Sequence, residues 1–118
     1  MSEFEVKRKD IDDISILYLK GYLDAHTASD FESALDKLVC EERVRIIVNL
    51  SELVYISSAG LGVFMGFIED IRKKDGDIKM AEPSKKVMRV FELLGFQVLY
   101  QIFENEQEAV EKYNTSKK

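Results

Sequence analysis

The stretch from Asn49 to Ile68 constrains the fold of this chain more than any other. It begins inside the β-branched, apolar run Arg45–Leu50, which is typical of a strand buried on both faces of a sheet. After a short polar break, Ser57-Ser58-Ala59-Gly60 begins a helix whose first two turns are almost wholly apolar. We therefore expect two hydroxyl groups at a strand-to-helix junction, beside free backbone N–H groups and the positive end of a helix dipole.

Strand and helix patterns alternate along the rest of the chain. An Asp-rich turn at residues 10–13 predicts an antiparallel hairpin between the first two strands. The order β-β-α-β-α-β-α-β-α predicts one α/β domain over residues 1–118, with a frayed tail at about 114–118. Its central sheet should be mostly parallel, with an N-terminal hairpin and helices packed on it. The predicted strands are Phe4–Lys7, Ile14–Leu19, Arg45–Leu50, Ile78–Ala81 and Val98–Phe103, and the predicted helices begin near Thr27, Ala59, Ser84 and Asn105.

The helix after Ser58 carries more apolar residues than one core face needs. Val63 and Phe67 lie four residues apart, in line with Gly60 and off the main stripe. Such a surplus indicates either a docking surface for a partner or coverage by a neighbouring helix, and the sequence leaves both open. The stripe predicted to face the core consists of Leu61, Phe64, Met65, Ile68 and Ile71.

Composition and charge restrict the classes of partner. The 118 residues carry a net charge of −5, from 17 basic and 22 acidic residues, which argues against binding to a nucleic-acid backbone. Cys40 is the only cysteine, so no internal disulfide can form, and we interpret it as a small packing group. His26 is the only histidine and is interpreted as a surface or helix-capping residue. The absence of a signal peptide or membrane span predicts a cytoplasmic protein with no membrane partner.

The motifs of common enzymes are absent or incomplete. Ser58 is not part of a G-x-S-x-G elbow, and His26 is the sole candidate base. Gly60, Gly62 and Gly66 give G-x-G-x-x-x-G, which misses the dinucleotide fingerprint by one residue. We therefore predict a non-enzymatic protein with no catalytic residue, metal or cofactor. A helix N-terminus attracts anions, so weak nucleotide or phosphate binding stays open.

A serine at the tip of an apolar helix is suited to control by phosphorylation. A phosphate at Ser58 would add about −1.5 to −2 charges. The helix itself would tolerate that charge at its N-terminus. A partner resting on the apolar stripe would have to desolvate it. Such a site can switch binding without changing the fold.

Several motifs over nearly the full chain together resemble the STAS domain family, and within it the bacterial anti-sigma factor antagonists. Gly21-Tyr22-Leu23-Asp24 matches the family's G-x-L-D. The strand IIVNLSEL and the segment ISSAGLGVF follow, the latter matching D-S-[STA]-G-L-G. The later segment from Pro83-Ser84 to Leu94-Gly95 is similar to the family's third helix. Ser57 stands where the family usually has Asp, so the site lacks that carboxylate and Ser57 is a second candidate phosphoacceptor.

The resemblance implies a binding protein that is controlled by phosphorylation. Family members bind an anti-sigma factor that is also a serine kinase, and so free a sigma factor. The kinase phosphorylates the motif serine, here Ser58, and a serine phosphatase restores binding. The implied partner-binding residues are Asp24, Ser57, Ser58, Ala59, Gly60, Val63 and Phe67. The alternatives are a STAS module that senses a nucleotide or small ligand, and a scaffold subunit of a signalling assembly.

Overall fold

A computed structural model describes residues 3–115, in which a five-stranded sheet has the order β1-β2-β3-β4-β5. The first two strands are antiparallel, and every later pair in the sheet is parallel. The predicted α/β architecture, with its hairpin and mostly parallel sheet, is confirmed. The elements are β1 (Phe4–Ile11), β2 (Ile14–Leu23), α1 (Ala28–Cys40), β3 (Arg45–Ile56), α2 (Ser58–Lys73), β4 (Asp77–Ala81), α3 (Lys85–Leu94), α4 (Phe96–Leu99), β5 (Ile102–Phe103) and α5 (Glu106–Thr115).

The sheet carries a separate apolar core on each face. On one face, Phe31 of α1, Phe64 of α2 and Phe91 of α3 are completely buried in the larger core. On the other face, α5 packs over the smaller core, which contains Ile47. Neighbouring residues of β3 therefore enter opposite cores, and this explains the unbroken apolar run in its first half.

Three helix boundaries are set by capping residues. The Ser84 hydroxyl accepts the Val87 N–H at 3.2 Å at the start of α3. Gly95 ends α3 in the left-handed conformation, with φ 75°. The Asn105 side chain accepts the Glu108 N–H at 2.9 Å at the start of α5. These residues fix where α3 and α5 turn back onto the sheet.

β3 is longer than predicted. The segment read as a polar break after Leu50 continues as strand to Ile56, because β2 pairs alongside it as far as Leu23 and Ile56. Two register shifts interrupt this pairing, and Ser51 and Glu52 beside the first of them are exposed. The helix junction is therefore at the end of an extension of β3 that pairs with β2 and passes beyond the last residue paired with β4, Asn49.

The strand predicted over Val98–Phe103 is wrong in its first half. Residues 96–99 form the single turn α4, with the Tyr100 N–H bonded to the Phe96 carbonyl at 2.9 Å. Phe96 and Tyr100 are both buried and stack with ring centroids 5.1 Å apart. Two buried residues four positions apart lie on the same face of a helix, and this segment is helical. Only Ile102–Phe103 therefore remains as strand.

Two side chains assigned to the interior are on the surface. Met65 is 56% exposed, because Phe64 fills the core and one residue turns the helix by about 100°. Cys40 is exposed at the last residue of α1. Asn114 and Thr115, placed in a frayed tail, still belong to α5, and residues 116–118 lie outside the described residues.

Candidate functional site

The strand-to-helix junction is built around the backbone of Ser57. Ser57 has extended backbone angles and is the N-cap of α2, and its hydroxyl accepts the Gly60 N–H at 3.4 Å. Its own N–H donates to the Leu23 carbonyl at 2.9 Å. The hydroxyl of Ser57 therefore contributes to helix formation, while its backbone ties the junction to the end of β2.

Ser58 is the first residue of α2 and is exposed. Among the described residues, no side chain or backbone group forms a hydrogen bond with its hydroxyl. The first turn of α2 contains no acidic residue, so its free N–H groups and dipole face solvent without a neighbouring carboxylate on the helix. An anion attached at Ser58 would be favoured there.

Gly60 allows α2 to approach the end of β2. A Cβ at this position would lie 2.7 Å from Leu23 Cγ and 3.1 Å from Ile56 Cγ1. Gly60 is itself buried, so it has little surface to present to a partner. Its role in the site is to seat the helix, and Ala59 beside it is half-buried.

The outer surface of α2 has no charge over its first three turns. No charged residue occurs from Ser57 to Ile68. Ser58, Gly62 and Met65 are exposed and lie on one face, since they are spaced by four and three residues. Val63 and Phe67 border this face, and each is half-buried with part of its side chain packed against the larger core. Val63 and Phe67 are therefore partly covered by the protein itself and partly exposed, so each of the two alternatives, docking surface or internal coverage, is met in part.

Met65 was missed as a site residue by the sequence analysis. It lies seven residues after Ser58, which returns to the same face of a helix after two turns. That spacing was the available signal, but Met65 was counted among the core residues. The uncharged helix surface comprises Ser58, Ala59, Gly62, Val63, Met65, Gly66 and Phe67.

Asp24 lies at the same end of the sheet as Ser57, because Leu23 and Ile56 are register partners. It is half-buried, and its Oδ1 accepts the N–H groups of His26 at 2.9 Å and Thr27 at 3.2 Å. The carboxylate thus shapes the turn that leads into α1. His26 is exposed, as predicted, and its backbone is what contacts Asp24.

An exposed aromatic pair precedes the junction on the extended strands. Tyr22 and Tyr55 are register partners with ring centroids 6.4 Å apart, and both rings are more than two-fifths exposed. Val54 beside them is 47% exposed. The sequence pattern did not reveal this group, because the apolar run that predicts β3 ends at Leu50.

Other kinds of site find little support in residues 3–115. Within that range, no three His, Cys, Asp or Glu side chains are grouped closely enough to hold a metal ion. No helix within it is long and apolar enough to cross a membrane. The uncharged helix surface and the neighbouring strand ends form the candidate site.

Comparison with known proteins agrees with this architecture. The STAS domain model matches residues 5–109. The anti-sigma-B factor antagonist of Listeria monocytogenes is 32% identical over 98 residues, which are 83% of this chain and 85% of the relative. An anti-sigma factor antagonist from Mycobacterium paratuberculosis has a similar crystal structure, with a TM-score of 0.86, 20% identity and coverage of 93% of both chains.

A third relative has been solved in two states. The unphosphorylated form of the anti-sigma factor antagonist SpoIIAA has a TM-score of 0.80 at 21% identity, covering 96% of this chain and 97% of that one. The phosphorylated form of SpoIIAA from Bacillus has a TM-score of 0.72 at 20% identity, covering 94% and 99%. This chain belongs to the STAS domain family.

Proposed function

We propose that this chain is an anti-sigma factor antagonist. In its unphosphorylated state it binds an anti-sigma factor that is also a serine kinase, and so releases a sigma factor in the cytoplasm. Phosphorylation of Ser58 ends that binding, and a serine phosphatase restores it. The observation that carries the proposal is the exposed Ser58 hydroxyl at the tip of an uncharged helix surface.

Relatives named as antagonists of anti-sigma factors support the first part of this proposal. Their names describe them as antagonists of anti-sigma factors, and an uncharged helix surface fits contact with such a protein. The existence of SpoIIAA in phosphorylated and unphosphorylated forms supports the second part. We infer that the partner rests on Met65 and Gly62, with Val63 and Phe67 at the border of the contact.

The physical basis of the switch is the difference between the free and the bound protein. In the free protein, a phosphate on Ser58 would be solvated and would lie at the favourable end of the α2 dipole. In the complex, the same phosphate would be enclosed between the partner and α2. The start of α2 offers it no cation, since residues 57–68 carry no charge. Burying an unpaired charge is costly, so phosphorylation should weaken binding and leave the fold intact.

The roles of the two serines follow from their hydrogen bonds. Ser57 uses its hydroxyl as the helix cap, and modification there would disturb the start of α2. Ser58 has no such task and is the more exposed of the two. We therefore assign the phosphoacceptor to Ser58 and the capping function to Ser57, which replaces the Asp usual in the family with another strong capping residue.

Phosphate mapping tests the proposal directly. The protein is incubated with its cognate anti-sigma factor kinase and ATP, and phosphorylated peptides are located by mass spectrometry. We expect one phosphate, on Ser58, and none in a Ser58→Ala variant. Label on neither Ser57 nor Ser58 would contradict the switch, and label on Ser57 alone would contradict our assignment of the two roles.

A further inference from the structure

A groove runs along the open edge of the sheet, between α3 and β5. Its volume is about 720 Å³, and its walls include Lys85, Met88 and Arg89 on the helix side and Ile102 and Phe103 on the strand side. A second, smaller cavity shares Met88, Ile102 and Phe103 and extends the groove toward Val98 of α4. The two cavities together are lined by both residues of β5.

The backbone of β5 is paired on one side only. The Met80 N–H donates to the Gln101 carbonyl at 3.0 Å and the Glu82 N–H donates to the Phe103 carbonyl at 2.9 Å. Because successive residues of a strand direct their backbone groups to opposite sides, the N–H and carbonyl of Ile102 point away from β4. No described residue forms a hydrogen bond with either group. An open edge of this kind can accept a further strand.

The helix side of the groove carries cations that have no partner among residues 3–115. Lys85, Lys86 and Arg89 are exposed, and none of them forms an ion pair or side-chain hydrogen bond with any residue in the described part of the chain. Glu92 and Glu104 also line the groove, so its walls carry three cations and two carboxylates. The lining of the groove therefore has one net positive charge, although the whole chain has a net charge of −5. Charge complementarity therefore favours an acidic ligand at this place.

We propose that this groove binds an extended, acidic segment of a partner protein, which adds to the sheet as a strand beside β5. The backbone of the segment pairs with the N–H and carbonyl of Ile102. Apolar side chains of the segment contact Met88, and its carboxylates lie against Lys85 and Arg89. This surface is separate from Ser58, which follows β3 rather than the edge strand, and the inference does not depend on the proposed function.

The test uses a fluorescein-labelled decapeptide of alternating valine and glutamate, with a valine–lysine decapeptide as its control. Binding is followed by fluorescence anisotropy and by amide chemical shifts of the ¹⁵N-labelled protein. We expect saturable binding of the acidic peptide with a Kd below about 1 mM. The largest shifts should fall on α3 and on Ile102 and Phe103. No saturation, equal binding of the lysine peptide, or shifts centred elsewhere would overturn the proposal.

Charge variants test the contribution of the helix side. The double variant Lys85→Gln/Arg89→Gln should weaken binding of the acidic peptide about tenfold, since two ion pairs are lost at a partly desolvated surface. The matched control is Lys73→Gln/Lys74→Gln, which removes the same charge from the exposed end of α2 and should leave the affinity unchanged. Equal weakening by both double variants would overturn the specific role of the groove.

A backbone variant tests the strand pairing. Ile102→Pro removes the N–H that points away from β4, and proline is tolerated on an edge strand at such a position. We expect the acidic peptide to lose binding while the shifts of β4 stay close to those of the parent protein. Unchanged affinity in a folded Ile102→Pro variant would overturn strand addition. A concentration-dependent dimer of the parent protein that Ile102→Pro abolishes would assign the edge to a second copy and would also overturn the proposal.

Discussion

Gly60 of α2 lies so close to Leu23 of β2 that a Cβ on the glycine would be 2.7 Å from Leu23 Cγ. Leu23 is completely buried in the larger core. The contact brings the start of the helix against the end of the strand and sets the position of Ser58. Gly62, two residues later, has no atom within 4 Å of the corresponding position.

These two glycines give a matched pair of alanine substitutions. Gly60→Ala should lower the free energy of unfolding by about 1–3 kcal/mol, because the added methyl group overpacks the junction. Gly62→Ala should raise it by about 0.5–1 kcal/mol, because alanine favours the helix and meets no neighbour. Urea denaturation of both variants checks the prediction. Equal effects of the two substitutions would contradict the tight contact at Gly60.

Two buried tyrosines differ in what their hydroxyl groups contact. The Tyr100 hydroxyl is buried and has no hydrogen-bond partner among the described residues. The Tyr113 hydroxyl lies within hydrogen-bond distance of the carbonyls of Ile46 and Asp77, which share its single proton, and it accepts the Ile46 N–H. Tyr100→Phe should therefore raise stability by about 1 kcal/mol, and Tyr113→Phe should lower it by about 1–3 kcal/mol. Thermal unfolding of the two variants distinguishes them, and a loss in Tyr100→Phe would show that its hydroxyl has a partner.

Tyr18 links stability to alkaline pH. Burial, with the hydrogen bond from its hydroxyl to Glu106 as a second cause, raises the pKa of Tyr18 to about 12. The folded protein holds this proton above pH 10, where an unfolded tyrosine releases it, so stability must fall as pH rises from about 10 to 12. Chemical denaturation across that range should show a shallower fall in Tyr18→Phe. An identical fall in both proteins would contradict the raised pKa.

Met65 tests the partner surface apart from the phosphorylation site. Met65→Glu places a charge in the middle of the uncharged helix surface, and should weaken binding to the anti-sigma factor by at least about tenfold. Since Met65 is 56% exposed, its replacement should leave the melting temperature close to that of the parent. Leu93→Glu is the control, because Leu93 is 75% exposed on α3 and outside this surface. Equal weakening by both variants would contradict the assigned surface.

The sequence was sufficient for the fold wherever a local signal agreed with the packing. Ser84 and Asn105 were recognised as helix starts because their chemistry acts within a few residues of the chain. The extension of β3 to Ile56 was not predicted, because it depends on pairing with β2, which is distant in sequence. The helical turn before Tyr100 was missed because VLYQIF alternates weakly and the stacking on Phe96 is a tertiary contact.

The site was predictable in its centre and less so at its margins. Ser57 and Ser58 could be placed at the helix start because the glycines and the apolar residues that follow them mark the start of α2 in the sequence. The sequence does not show which of the two hydroxyl groups caps α2. The hydrogen bond from the Gly60 N–H to the Ser57 hydroxyl assigns the cap to Ser57. Met65 and the Tyr22–Tyr55 pair are exposed because no other part of the described chain covers them. Tertiary packing of this kind cannot be read from a local sequence pattern.

The same charge placed on two adjacent serines tests the proposed switch most directly. Binding of the anti-sigma factor is measured by calorimetry for the parent, Ser57→Asp and Ser58→Asp, with the melting temperature of each. Ser57→Asp keeps a capping residue at the N-cap and should bind like the parent. Ser58→Asp should lose at least about tenfold in affinity at an unchanged melting temperature. Equal affinities of the two variants, or an unfolded Ser58→Asp protein, would contradict a switch that acts on binding alone.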